Sequence, residues 1–186
     1  MLEMAEYLVT AATVLLAVSL LAHIALVTAK NRRPAKAVSQ RAKVSVGAGS
    51  AEETVVAAEA PTKRLGLAWY AVAFEVVAFV LVTAYLGVRM AVIGHGPFAN
   101  QHEFAVSFVW GILLVALFFE LRHHAYTLAL GVQPVAIALL LYAMSLDTGV
   151  RPLVPALQNR LMLNLHVGFA IISYGAACVS FGAAVL

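Results

Sequence analysis

The chain has 186 residues, of which 63% are hydrophobic and 11% are charged, and its formal net charge is +3. Soluble domains carry about a quarter charged residues, so the composition excludes an ordinary soluble protein and indicates a membrane protein. The basic residues are concentrated in one segment, which argues against nucleic-acid binding. The single cysteine, Cys178, excludes an internal disulfide and a CxxC redox pair.

Five long apolar runs follow one another along the chain. A helix needs roughly 20 apolar residues to cross the core of a bilayer. The runs comprise residues 7–29, 65–88, 104–119, 125–146 and 161–186. Glu75 is the only residue with a formal charge inside them. We therefore predict an all-α, polytopic membrane protein with about five transmembrane helices.

The distribution of lysine and arginine predicts the orientation of these helices. Eight of these residues lie between the first and second runs and Arg122 follows the third, whereas the opposite side carries Arg89, Arg151 and Arg160. Because an excess of basic residues marks the cytoplasmic loops, the N-terminus and the 2–3 and 4–5 connections are predicted to lie outside.

Composition divides the chain into three predicted parts. Residues 1–29 form the first transmembrane helix, and residues 67–186 form a second, larger membrane domain. Residues 30–66 between them form a basic cytoplasmic linker, because this segment is polar and has no apolar periodicity. Its positive charge also suits contact with anionic membrane lipid.

Several polar residues inside the runs require an explanation, because polar groups are costly in a membrane. His23 and Glu75 are each on the order of 10 Å from the predicted cytoplasmic edge, so they are candidates for an intramembrane pair. Such a pair would be either a haem or proton station or a structural hydrogen bond. Glu120 is expected near the inner interface, within reach of Arg122. Gln133, beside a proline, is interpreted as part of a helix bend.

The connection between the second and third runs contains two histidines. It reads "GHGPFANQHEF" and offers His95 and His102, with Asn100 placed to cap the next helix. The third histidine on this side is His166. The long, irregular spacing of the three is not that of a zinc site, and we predict no metal other than any iron of a bound haem.

His166 stands a few residues inside the last apolar run, roughly 8 Å from its start. On a helix it shares one face with Ala170, Ser173 and Ala177, which are small and weakly polar. This face suits either a flat ligand beside the imidazole or another helix packed closely against it. The residues alone leave both interpretations open.

Two segments resemble the CcsA-type cytochrome c assembly proteins of the system II pathway. "GHGPFANQHEFAVSFVWG" is similar to the family's "GHFPLSNLYES…WG", and "LVPALQNRLMLNLHVGFAIISYGAA" is similar to its "LVPALQSxWLxxHVxxxxxSYAAL". The matching residues are Gly94, His95, Pro97, Asn100, Glu103, Trp110 and Gly111 in the first segment, and Leu153, Val154, Pro155, Ala156, Leu157, Gln158, Leu161, His166, Val167, Ser173 and Tyr174 in the second.

This resemblance implies a haem handler of cytochrome c biogenesis in the bacterial cytoplasmic membrane, with residues 67–186 as its assembly-type domain. Such a protein holds haem non-covalently, as a b-type cofactor in transit, and presents it at the outer face to apocytochrome c. A CcsB/ResB-type membrane protein is the implied partner. His166 is the implied axial haem ligand. The other candidate haem or interface contacts are His95, Trp110, Arg151 and Arg160.

The sequence also departs from the family pattern. The family's tryptophan-rich segment and second outer histidine have no counterpart before Leu186, and His102 stands where the family has tyrosine. We therefore expect the chain to correspond to the N-terminal portion of such a protein and to be inactive in haem attachment by itself. The alternatives are a non-catalytic membrane anchor or scaffold subunit, and a b-type haem electron-transfer subunit in which His95 pairs with His166.

Overall fold

The computed structural model describes residues 2–31, 64–150 and 159–186. The helices in these ranges are α1 (Leu2–Asn31), α2 (Arg64–Ile93), α3 (Gln101–His123), α4 (Ala129–Met144) and α5 (Arg160–Val185), and a short 3-10 turn leads into α4. The described part contains no β-strand. Five spans in it are long and apolar enough to cross a membrane. The predicted all-helical, multi-pass fold is thus confirmed.

Parts of the predictions lie outside the described residues. These are nearly all of the 30–66 linker, Arg151, and the start of the second family-like segment, residues 153–158. The side chain of Arg160, at the start of α5, is also outside them.

Successive helices run antiparallel to each other. Along α1 and α4, Glu6 contacts Thr148 and Ser19 contacts Gln133, and α2 contacts α3 through Arg89 and Glu103. Gly131, near the start of α4, lies against Gly182, near the end of α5, so helices α1, α3 and α5 begin at the same end of the bundle. We call this the first end and the opposite one the second end.

Helix boundaries follow from local chemistry. The side chain of Asn100 accepts a hydrogen bond from the backbone N–H of Glu103 at 2.8 Å, so it caps α3 as the sequence predicts. Gly94, just after α2, has a φ of 74°, which a glycine adopts without strain. Pro134 lies inside α4, which is the shortest of the five helices described.

Helix α5 packs mainly on α3 and α4, and it approaches both of them closely at glycines. A Cβ atom added at Gly175 would stand 2.5 Å from the carbonyl oxygen of Gly111 on α3. One added at Gly131 of α4 would stand 2.8 Å from the Cα of Gly182. Small residues let helix backbones approach closely, which is how helices commonly associate in membranes.

The orientation of the bundle in the membrane is a testable prediction. Val150, at the first end, is exposed, and Ser50 belongs to the predicted cytoplasmic linker. In a Cys178→Ser background, we expect a membrane-impermeant thiol reagent to label Val150→Cys in intact cells. Ser50→Cys should be labelled only after permeabilisation. The reverse pattern would place the first end, and His166 with it, in the cytoplasm.

Candidate functional site

His166 lies near the start of α5, at the first end of the bundle, and its side chain is exposed. No hydrogen bond or ring contact within the described residues involves it. On the face it shares, Ser173 and Ala177 are exposed and Ala170 is half-buried. The predicted small face of α5 thus points away from the other helices and leaves the imidazole uncovered.

The two family-like segments pack against each other. Phe108 of α3 and Tyr174 of α5 make an edge-to-face ring contact with centroids 5.4 Å apart. A Cβ atom added at Gly111 would stand 2.6 Å from the carbonyl oxygen of Ile171. The loop before α3 reaches α5 as well, since a Cβ atom at Gly96 would collide with the side chain of Asn164. The first segment and the described part of the second, residues 159–177, are therefore one structural unit beside His166.

His95 belongs to the loop of this unit. Its Nδ1 donates a hydrogen bond to the carbonyl oxygen of Gly96 at 2.7 Å, and the side chain is half-buried. Because a carbonyl accepts only, Nδ1 carries the hydrogen and Nε2 of the neutral ring keeps its lone pair. His95 therefore has one nitrogen available for a ligand.

Trp110 points to the other side of α3. Its indole ring stacks on Phe79 of α2 with centroids 5.9 Å apart, and its Nε1–H donates to Thr83 at 3.0 Å. This tryptophan therefore joins α3 to α2, whereas the contacts with α5 come from a different face of α3.

His102 is buried inside the bundle with both ring nitrogens occupied. Nδ1 donates to the carbonyl oxygen of Ala143 at 2.8 Å, and Nε2 is 2.6 Å from the hydroxyl of Tyr85. In the neutral ring this leaves Nε2 to accept from the tyrosine hydroxyl. His102 has no free lone pair for a metal and joins α2, α3 and α4.

A buried ion pair lies beside His102. The Nε of Arg89 donates to Glu103 Oε1 at 2.8 Å, and each side chain is 1% exposed. Arg89 also donates to the carbonyl oxygen of Thr148, while Glu103 Oε2 accepts from the backbone N–H of Ala99 at 2.6 Å. The pair therefore ties α2 to α3 and to both connections at the first end.

A second buried polar cluster lies toward the second end. It contains His23 and Glu75, the residues proposed as a pair from sequence, and adds Glu120 and Gln133. His23 Nε2 is 3.7 Å from Glu120 Oε2, and Gln133 donates to Glu75 Oε2 at 2.7 Å. Four helices thus each contribute one polar side chain.

The expectation for Glu120 is wrong. Its side chain is fully buried beside His23, whereas Arg122 is exposed. The reason is helical geometry: two residues are about 200° of rotation, so these neighbours face opposite directions. Glu120 therefore belongs to the bundle interior and not to the membrane interface.

Comparison with known proteins supports the motif resemblance. Over 115 residues, 60% of the chain, the sequence is 27% identical to the cytochrome c biogenesis protein CcsA of Guillardia theta, of which the match covers 38%. The CcsA proteins of Microcystis aeruginosa and Synechocystis are 30% and 28% identical over 107 residues, 55% of the chain and 32% of each relative. The chain is similar to CcsA.

The similarity to CcsA is partial, because the chain spans only about a third of the length of these relatives. No protein-family model and no solved structure matches the chain. The CcsA resemblance predicted from the two motifs is nevertheless confirmed.

The sequence did not predict the structural roles of four residues other than His166. Arg89 was interpreted only as an orientation signal, Gln133 only as part of a helix bend, and Tyr85 and Glu120 were not placed in the interior. The available signal was a polar residue inside an apolar run for Tyr85 and Gln133, and a charged residue directly after one for Arg89 and Glu120. The rotation of each helix about its axis decided which of them meet, and composition does not specify that rotation.

Proposed function

We propose that the chain acts in cytochrome c biogenesis as a haem-handling membrane protein, with His166 as an axial ligand of the haem iron. The observation that carries the proposal is the packing of the first CcsA-like segment against α5, which contains the described part of the second segment. The family-matched His166 is exposed next to this contact. The names of the CcsA relatives support the biological process.

The residues around His166 fit a haem. Iron takes a neutral imidazole as an axial ligand, and the imidazole here is exposed with no protein partner among the described residues. The small side chains of Ala170 and Ser173 leave space beside it, and exposed Met162 and Phe169 offer apolar surface to a porphyrin. His166 would hold the iron from one face of the porphyrin and leave the edge of the porphyrin ring uncovered.

The remaining parts of the proposal concern the wider assembly. Haem supplies the vinyl groups that become thioether bonds to the cysteines of apocytochrome c. We assign the holding of haem to His166, in a b-type, non-covalent state at the outer face of the bacterial cytoplasmic membrane. The second axial ligand and the attachment surface would come from a CcsB/ResB-type partner or from a longer CcsA-type protein. Arg151 and Arg160 remain candidates for the haem propionates.

The electron-transfer alternative requires a second histidine to bind the haem iron together with His166, and few histidines are available for this. A bis-histidine haem needs two free imidazole nitrogens on facing groups, and both nitrogens of His102 are engaged. His23 lies toward the second end and His166 at the first. Among the described histidines, only His95 is left as a mate for His166 at this end.

Replacement of His166 by glycine tests the haem proposal. His166→Gly opens a space the size of an imidazole, so haem binding should fall and should recover when free imidazole is added. The measurement is the Soret absorbance per purified protein, with and without imidazole. His95→Gly should cause a smaller loss, and His123→Gly, at an exposed site near the second end, should cause none.

An unchanged Soret absorbance in His166→Gly, at equal protein level, would remove haem ligation from this residue. An absence of haem in the wild-type chain co-purified with its membrane partner would instead favour the anchor alternative.

A further inference from the structure

The buried cluster toward the second end has the composition of a cation site. One ligand atom each from His23, Glu75 and Glu120 can be chosen so that all lie within 4.8 Å of one another. The three residues come from α1, α2 and α3, and their side chains are fully buried. The proposed haem contact at His166 lies at the other end of the bundle, so this cluster is independent of it.

The tautomer of His23 is determined by its surroundings. Nδ1 lies 2.9 Å from the carbonyl oxygen of Ser19, which can only accept, so Nδ1 carries the hydrogen. Nε2 of the neutral ring therefore holds a lone pair, and it faces Glu120 Oε2 at 3.7 Å. A hydrogen bond from the other ring nitrogen to a carbonyl is the arrangement that orients histidines in metal sites.

Gln133 donates both hydrogens of its side-chain amide to neighbouring groups. Its Nε2 donates to Glu75 Oε2 at 2.7 Å and to Ser19 Oγ at 3.1 Å, while Ser19 Oγ donates to the carbonyl oxygen of Ala71. The amide thus fixes the Glu75 carboxylate and has no N–H left for the interior of the cluster.

The atoms that remain without a partner are all acceptors. They are His23 Nε2, Glu75 Oε1, both carboxylate oxygens of Glu120, and Gln133 Oε1. With both carboxyls ionised, these buried acceptors have no donor among them, which is unfavourable because each loses its hydrogen bond to water and gains none. Two carboxylates in a membrane interior add a large desolvation cost unless a cation balances them. Both considerations call for either a metal cation or protons on the carboxyl groups among these atoms.

In place of the prediction from sequence that no metal other than haem iron is bound, we propose that His23, Glu75 and Glu120 bind a divalent transition-metal ion of the zinc, manganese or iron class. Two carboxylates balance a charge of two, and an imidazole with carboxylates is a ligand set for such ions. With metal–ligand bonds of about 2.0–2.2 Å, ligand atoms in a tetrahedral site stand about 3.3–3.6 Å apart. The distance between His23 Nε2 and Glu120 Oε2 is close to this range. The ion would join three helices, and the unpartnered Gln133 Oε1 is the candidate for a fourth ligand atom.

Metal titration of the full chain tests this proposal. The chain is purified in detergent through an affinity tag without histidine, stripped with a chelator and titrated with Zn²⁺ by calorimetry. A His123→Gln background removes one of two adjacent surface histidines. We expect one saturable site per chain. Loss of residues that only orient a ligand weakens metal binding about 10–100-fold, so Glu120→Gln should weaken it about 100-fold or more.

Glu6→Gln is the matched control, because it makes the same charge change at an exposed position of α1. It should bind Zn²⁺ like the parent chain. Equal affinity in Glu120→Gln, or no saturable site in the parent chain with either Zn²⁺ or Mn²⁺, would overturn the proposal.

A second measurement needs no variant and so does not depend on the folding of one. Mn²⁺ bound to the chain should show coupling to an imidazole nitrogen in pulsed electron paramagnetic resonance. Bound Mn²⁺ without nitrogen coupling would overturn the assignment of His23. Infrared bands of protonated carboxyls that survive saturation with Zn²⁺, and that disappear in Glu120→Gln, would show that protons and not a metal occupy the cluster.

Discussion

Arg89→Ala should destabilise the bundle by about 3–5 kcal/mol, because it leaves the Glu103 carboxylate buried without its cation. Both side chains are 1% exposed, and Arg89 also holds the Thr148 carbonyl at the first end. The loss should appear as a lower midpoint of thermal unfolding in detergent, followed by the helical circular dichroism signal.

Two variants control this result. Arg122→Ala removes an arginine that is exposed and should leave the midpoint nearly unchanged. The double variant Arg89→Leu/Glu103→Leu should recover part of the loss, since replacing a buried pair with apolar groups is often less harmful than breaking it. A double variant as unstable as Arg89→Ala would show that the contacts to Thr148 and Ala99, and not the unpaired charge, dominate.

Gly175→Leu should displace α5 from α3. Even a Cβ atom would stand 2.5 Å from the Gly111 carbonyl oxygen, and that atom belongs to a backbone that cannot rotate aside. Overpacking costs typically 1–3 kcal/mol, and a leucine against helix backbone should cost at least about 3 kcal/mol. We expect a lower unfolding midpoint and greater proteolysis in the connection before α5.

Gly168→Leu is the matched control, because Gly168 lies on the same helix and an added Cβ atom meets nothing within 4 Å. It should change the midpoint little. If the two variants were equally unstable, helix propensity or membrane insertion, and not the close contact with α3, would be the cause.

The fold was predictable from sequence because the bilayer fixes the length and composition of each span. Counting apolar residues was sufficient to find five spans, and the capping of α3 followed from Asn100 alone. The depth of His23 and Glu75 could likewise be calculated from the rise per residue. The depth of a residue in the membrane depends only on its position along the helix axis, and the sequence specifies that position directly.

The composition of the two polar clusters could not be predicted in this way. Whether Glu120 faces His23 or the lipid depends on how α3 is rotated against α1, and this rotation is decided by packing among all the helices. The same applies to Arg89 and Glu103, which are separated by the turn between α2 and α3. Their partners became apparent only when the helices were placed together.

The way in which α5 is attached has a mechanical consequence. No hydrogen bond within the described residues links α5 to α1–α4, whereas those four helices share buried polar contacts near both ends. Dispersion contacts are individually weak, and separating them leaves no buried donor or acceptor unpaired. A force applied at the end of α5 should therefore separate this helix from the other four before those four separate from one another. A partner bound to the exposed side of α5 could in this way reposition His166 while the interior of the bundle stays intact.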